Sequence, residues 1–176
     1  MKFRCGVRLR LLICFCLAHA AGWSAQADIA TASSYPVVDL IRVYKKERKL
    51  EVLSSGRVLR SFSVALGKDP IGHKVREGDG RTPEGKYLLD FRKADSAFYK
   101  AFHISYPNAQ DTAQARARQV SPGGQIMVHG QKNGFGWLSP IMQRFDWTNG
   151  CIGLSNEDMD VLWSLLKDGT PIEIFP

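Results

Sequence analysis

At 176 residues, with 44% hydrophobic, 10% aromatic and 23% charged positions, the chain has the composition of a folded domain and not of a disordered or fibrous one. The formal net charge of +7 suggests nucleic acid, but residues 1–27 hold Lys2, Arg4, Arg8 and Arg10 and no acid. The remainder carries 20 bases against 17 acids, a mildly basic surface without the cationic stripe that nucleic acid requires, so no nucleic-acid partner is expected.

Residues 1–27 read as a secretory signal peptide: a basic start, an apolar stretch over residues 11–21, and a small-residue cleavage site at Ala25-Gln26-Ala27. The apolar stretch is shorter than the ~20 residues of a membrane span, so no stable span is expected once the leader is removed. Cys5, Cys14 and Cys16 lie in the leader, and Cys151 is the one cysteine of the mature chain. A single thiol cannot close an internal disulfide in an oxidising compartment, so it is either a small buried hydrophobe or a working group.

Residues 28–37 form a short polar linker ahead of a domain at residues 38–176. Residues 37–44 are rich in β-branched and aromatic side chains and read as a strand. Residues 50–53 and 57–66 flank Ser54-Ser55-Gly56 and read as a hairpin, with Phe62, Val64 and Leu66 on its buried face. Residues 67–85 form a long irregular connection, of the kind that is usually functional or mobile. Its Gly80-Arg81-Thr82-Pro83-Glu84-Gly85-Lys86 imitates a phosphate-cradling loop. Tyr87 stands where a magnesium-binding hydroxyl is required, Pro83 removes a backbone donor, and no helix follows, so a nucleotide site is rejected.

Further strands are expected at residues 86–91, 101–105 and 125–128, with a short exposed helix at residues 111–118. The strand at 125–128 delivers His129 at its end. After Cys151, residues 152–154 read as a strand. Ser155 through Asp158 then reads as a capping box ahead of Met159, Leu162, Trp163 and Leu166 at helical spacing. Gly169 marks the helix stop, and residues 170–175 return as the last strand.

His129 and Cys151 lie twenty-two positions apart on loops that flank a Gly- and aromatic-rich segment, and an imidazole beside a thiol is the usual construction of a cysteine nucleophile. The runs I-M-V-H-G at residues 126–130 and D-W-T-N-G-C-I-G-L at residues 146–154 together resemble the signature of the YkuD-type L,D-transpeptidases. Thr82-Pro83-Glu84-Gly85 is similar to that family's T-P-x-G strand start, and D-W-T-x-G-C-I resembles its YafK-like branch. The resemblance implies a mainly β (α+β) fold, a YkuD-like β-sandwich or barrel with one helix packed behind the cysteine loop and minor short helices.

The resemblance also implies site roles: Cys151 as nucleophile, His129 as proton donor and acceptor, and Gly130 orienting the imidazole through its carbonyl. The amides of Gly150 and Cys151 are the expected oxyanion donors, with Asn149 as a further one. Asn149 stands where the family has His, and Gly153 where it has Arg. The missing guanidinium removes a carboxylate anchor, for which Arg81, Lys132 and Arg144 are candidate replacements. Trp137 and Trp147 are candidate walls of a substrate groove. His103 reads as a structural histidine and His73 as a residue of the long loop. A zinc site built from Cys151, His129 and either of these fits the ligand types but not the ligand spacing.

The implied reaction is periplasmic. Cys151 attacks a peptidoglycan stem peptide at its diamino acid, D-alanine leaves, and an amine takes the acyl group. The acceptor is another stem peptide or the lysine of an outer-membrane lipoprotein. Alternatives are a hydrolase of the same linkage (an L,D-carboxypeptidase or a lipoprotein-detaching amidase) and a non-catalytic peptidoglycan-binding module. No metal or organic cofactor is needed for thiolate chemistry. A papain-like or NlpC-like enzyme is disfavoured because there the cysteine precedes the histidine.

Overall fold

The computed structural model describes residues 36–176. The leader and residues 28–35 of the linker lie outside the described residues. Eight strands form one mixed sheet: β1 (Leu40–Tyr44), β2 (Lys49–Ser54), β3 (Arg57–Ser63), β4 (Gly85–Ser96), β5 (Tyr99–Ile104), β6 (Met127–His129), β7 (Ile152–Gly153) and β8 (Thr170–Phe175). Three helices accompany them: α1 (Ala109–Ala117), α2 (Ser139–Met142) and α3 (Asn156–Leu165). The strand order is β3-β2-β1-β8-β4-β5-β6-β7, with β1–β8 and β6–β7 parallel and the other neighbours antiparallel.

The β2–β3 turn is made by Ser55 and Gly56, both at positive φ (49° and 76°), the backbone that matches the twist of a tight hairpin. Past Ser63 the chain leaves β2 and crosses to the opposite edge of the sheet. There Ala65 bridges Gly153 and Gly67 bridges Thr148, so the two sheet edges are tied and the sheet curls on itself. This corrects the expected strand at residues 57–66. Val64 and Leu66 are buried as predicted, but Ala65 is buried too, because this segment is enclosed on both sides.

Alternate residues of the paired strands fill the interior: Ile41 and Val43, Leu50 and Val52, Tyr87 and Leu89, Phe102 and Ile104, Ile172 and Ile174. Burying each of the aliphatic side chains contributes about 2 kcal/mol. Helix α3 is capped by Ser155, whose hydroxyl accepts the Asp158 amide at 3.0 Å, and it buries Met159 and Leu162. Trp163 packs on Phe102 of β5 with ring centroids 5.1 Å apart. Asn108 caps α1 in a reciprocal box with Asp111. No described helix is long and apolar enough to cross a membrane.

Candidate active site

Parallel pairing of β6 and β7 sets Val128 opposite Ile152 and His129 opposite Gly153. Side chains alternate along a strand, and Val128 and Ile152 are both fully buried on the core face. Register therefore puts His129 and Cys151, one position before Ile152, on the other face of the same strand pair. Leu154 N–H donates to the His129 carbonyl at 2.8 Å and continues the ladder past the histidine.

His129 Nδ1 lies 2.6 Å from the Gly130 carbonyl oxygen. A carbonyl only accepts, so in the neutral ring Nδ1 carries the proton and Nε2 is free as a base. Gly130 has no room for a side chain. A Cβ there would stand 2.7 Å from Asn156 Oδ1 and 2.9 Å from Tyr99 Cβ. Asn156, the first residue of α3, accepts the Gln131 amide at 2.9 Å, and Gln131 Nε2 donates to the Leu154 carbonyl at 2.9 Å. The helix thus holds the loop that holds the imidazole. Phe98, at the tip of the β4–β5 hairpin, and Trp147 flank the ring at centroid distances of 4.9 and 5.6 Å.

The turn before Cys151 is closed by Thr148, whose hydroxyl donates to the Cys151 carbonyl at 2.7 Å and accepts the Gly150 amide at 3.1 Å. The Gly150 amide, an expected oxyanion donor, is thereby engaged within the turn. Gly150 itself has φ of +129°. The thiol lies 3.8 Å from the Gln125 carbonyl. Burial raises the thiol pKa against the opposing pull of the Met127 amide and the Lys74 charge. Burial likewise lowers the His129 pKa, outweighing its bond to Gly130. In both groups desolvation is the largest cause, and it favours the uncharged forms, thiol and imidazole.

Two cavities meet at Lys68, Asn149 and Cys151. One, of about 430 Å³, is walled by Phe98, Phe135, Leu138, Met142 and Trp147. The other, of about 700 Å³, is the more polar of the two and is lined by Lys74, Glu77, Asp79, Gln125 and the glycines at 78, 80, 123 and 124. Asn149 and Trp147 therefore stand at the site. Trp137 does not: it is 75% exposed and lines a separate hollow with Ser63 and Pro140. Arg81 pairs with Asp69 at 3.0 Å, and Arg144 is exposed just beyond α2; neither lines the two cavities. Lys132 lines the apolar cavity, with its ammonium over the Phe135 ring.

Gly153 has a packing reason. A Cβ at that position would meet the Trp147 indole at 3.0 Å, so the indole occupies the volume that an arginine stem would need. His73 is fixed away from Cys151, accepting the Glu84 amide at Nδ1 (3.0 Å) with Nε2 3.2 Å from Asp111. His103 lies on β5, bound to Asp90 at 2.7 Å and stacked on Phe91. Among the described residues, no three His, Cys, Asp or Glu side chains are grouped to hold a metal ion. Sequence reasoning missed Lys74 and Phe98. Neither belongs to a motif, and only the folded loop and hairpin bring them to the site.

The profile of the YkuD family, the L,D-transpeptidase catalytic domain, matches residues 38–174. The chain belongs to this family. Among curated relatives, the Escherichia coli (strain K12) protein YafK, described as a candidate L,D-transpeptidase, is 31% identical over 112 residues, covering 60% of this chain and 44% of YafK. The helical cell shape determining protein Pgp2 from Campylobacter jejuni has a TM-score of 0.60 at 23% identity, covering 78% of this chain and 47% of Pgp2. An L,D-transpeptidase from Xylanimonas cellulosilytica has a TM-score of 0.52 at 18% identity, covering 81% of this chain and 62% of that one. At these identities the two structures establish the shared fold: a mostly β, curled eight-stranded sheet with a few short helices. The chain spans less than half the length of YafK and Pgp2.

Proposed function

We propose that this L,D-transpeptidase domain acts in the periplasm on peptidoglycan stem peptides through an acyl-enzyme at Cys151. The observation that carries the reading is the shared register face of His129 and Cys151, with Nδ1 committed to Gly130 and Nε2 left as base. His129 Nε2 takes the thiol proton as Sγ attacks the carbonyl of the diamino acid. The developing oxyanion is met by the Cys151 amide and by Asn149, with the Gly150 amide contributing when it lets go of Thr148. His129 then protonates the leaving D-alanine amine, and a thioester remains. The amine of a second stem or of a lipoprotein lysine attacks it, losing its proton to His129 and freeing the thiol.

Incubation with purified muropeptides and identification of the products tests this. D-alanine release together with a 3→3 cross-linked dimer, or with a lysine-linked adduct when a lipoprotein peptide is added, is the expected result. A shortened stem alone would mean that water is the acceptor and that the site is a hydrolase. Unchanged muropeptides from folded protein would leave only a binding module.

The buried imidazole has a pH consequence. Its pKa is depressed, so His129 stays neutral, and competent as a base, below the ordinary histidine value of about 6.5. The acid limb of kcat/KM is expected below pH 6.5. A limb at or above that value would contradict the assignment of His129 as the base.

A further inference from the structure

We propose that Lys74 recognises the terminal carboxylate of the donor stem, in the polar cavity beside Cys151. The inference rests on the stem-peptide reading above. One residue spans at most ~3.6 Å, so the carboxylate of the departing D-alanine lies close to the attacked carbonyl and needs a cation in a cavity that Cys151 lines. Position 153 cannot supply one, because it is glycine and the Trp147 indole closes over it.

Three lysines line the two cavities. Lys68 and Lys132 are exposed, whereas Lys74 is 3% exposed. A buried ammonium is held in place and is less screened than a surface one. Lys74 donates to Asp79 Oδ1 at 2.9 Å and to the Arg76 carbonyl at 3.0 Å, which leaves one of its three N–H bonds for the cavity.

Asp79 also accepts the amides of Val75 (2.8 Å), Arg76 (3.0 Å) and Arg81 (3.1 Å). Burying a lysine is costly unless it is paired, and Asp79 supplies the pair: the Lys74 bond leads the contacts that hold its carboxyl down at about 2, ahead of the three amides. The other acids of the cavity are engaged as well. Asp69 is paired with Arg81 at 3.0 Å, and Glu77 accepts the Ser121 hydroxyl at 3.2 Å. Despite Asp79, the Lys74 charge reaches Cys151 and pulls its thiol pKa down. A carboxylate seated against Lys74 would therefore sit beside the nucleophile in a charge-assisted hydrogen bond.

The test compares two tetrapeptide stems, one ending in free D-alanine and one in D-alanine amide, in wild type, Lys74→Met and Lys74→Arg. Wild type is expected to prefer the acid at least tenfold in kcat/KM. Lys74→Met should erase that preference by lowering turnover of the acid far more than that of the amide, and Lys74→Arg should keep most of it. A loop-holding role would lower both substrates together, so an unchanged acid-to-amide ratio in Lys74→Met overturns the proposal. Should Lys74→Met fail to fold, the wild-type ratio decides, since equal turnover of acid and amide overturns the proposal without any variant. Wild type that turns over neither stem refutes the stem-peptide reading itself, an outcome distinct from turnover without preference.

Discussion

Replacing Cys151 by serine is expected to lower kcat/KM on stem peptides by at least about a thousandfold while leaving the melting temperature unchanged. The thiol shares its sheet face with an imidazole whose basicity burial has already reduced. A serine hydroxyl is a far weaker acid than a thiol, so His129 cannot deprotonate it at comparable rates. Stability is untouched because Sγ has few partners, the Gln125 carbonyl at 3.8 Å and the Met127 amide. A folded serine variant keeping a tenth of the activity would remove Cys151 from the role of nucleophile.

The second large effect is expected at Gly150, in stability as well as rate. Its φ of +129° lies where only glycine is relaxed, and an added Cβ would stand 2.6 Å from the Arg81 carbonyl oxygen, a backbone atom that cannot swing aside. Gly150→Ala should cost about 2–4 kcal/mol in a denaturant titration, and most of the activity should go with the turn that presents Cys151. Gly134→Ala is the control. That glycine also has positive φ (+83°), but nothing lies within 4 Å of its added Cβ, so its cost should be about 1 kcal/mol. Equal costs at the two sites would contradict the claim that close approach to Arg81 fixes glycine at position 150.

What could be read from the sequence follows from which signals are local. The Ser55-Gly56 turn, the alternating strands and the Ser155 cap of α3 each announce themselves within a few residues, although only the Ser155 half of the expected capping box is formed. Strand lengths did less well. β4 runs to Ser96, beyond the predicted residues 86–91, because Arg92 to Asp95 alternate no apolar groups and are held by pairing with β5. The helix predicted at residues 111–118 starts two residues earlier, its true cap Asn108 having been passed over. The helical stretch over residues 136–142 was not foreseen, since its turns are too short to show a period.

The site divides the same way. His129, Gly130 and Cys151 were legible from motif and spacing, and register brings the histidine and the thiol to one face. Their electrostatics were not legible, because burial is a property of the whole fold. The candidate walls of the groove were legible only in part. Trp147 lies against His129, whereas Trp137, ten residues earlier, points into a different hollow. The absence of arginine at position 153 looked in sequence like a lost anchor; in the structure it is the space that Trp147 fills.

The central claim is covalent catalysis by Cys151, and mass analysis of the acid-quenched reaction tests it most directly. Wild-type protein incubated with a tetrapeptide stem should gain the mass of the stem less its D-alanine, on the peptide that carries Cys151, and the Cys151→Ser variant should gain nothing. Stem-peptide products formed with no adduct on that peptide, and formed equally by the serine variant, would contradict the account.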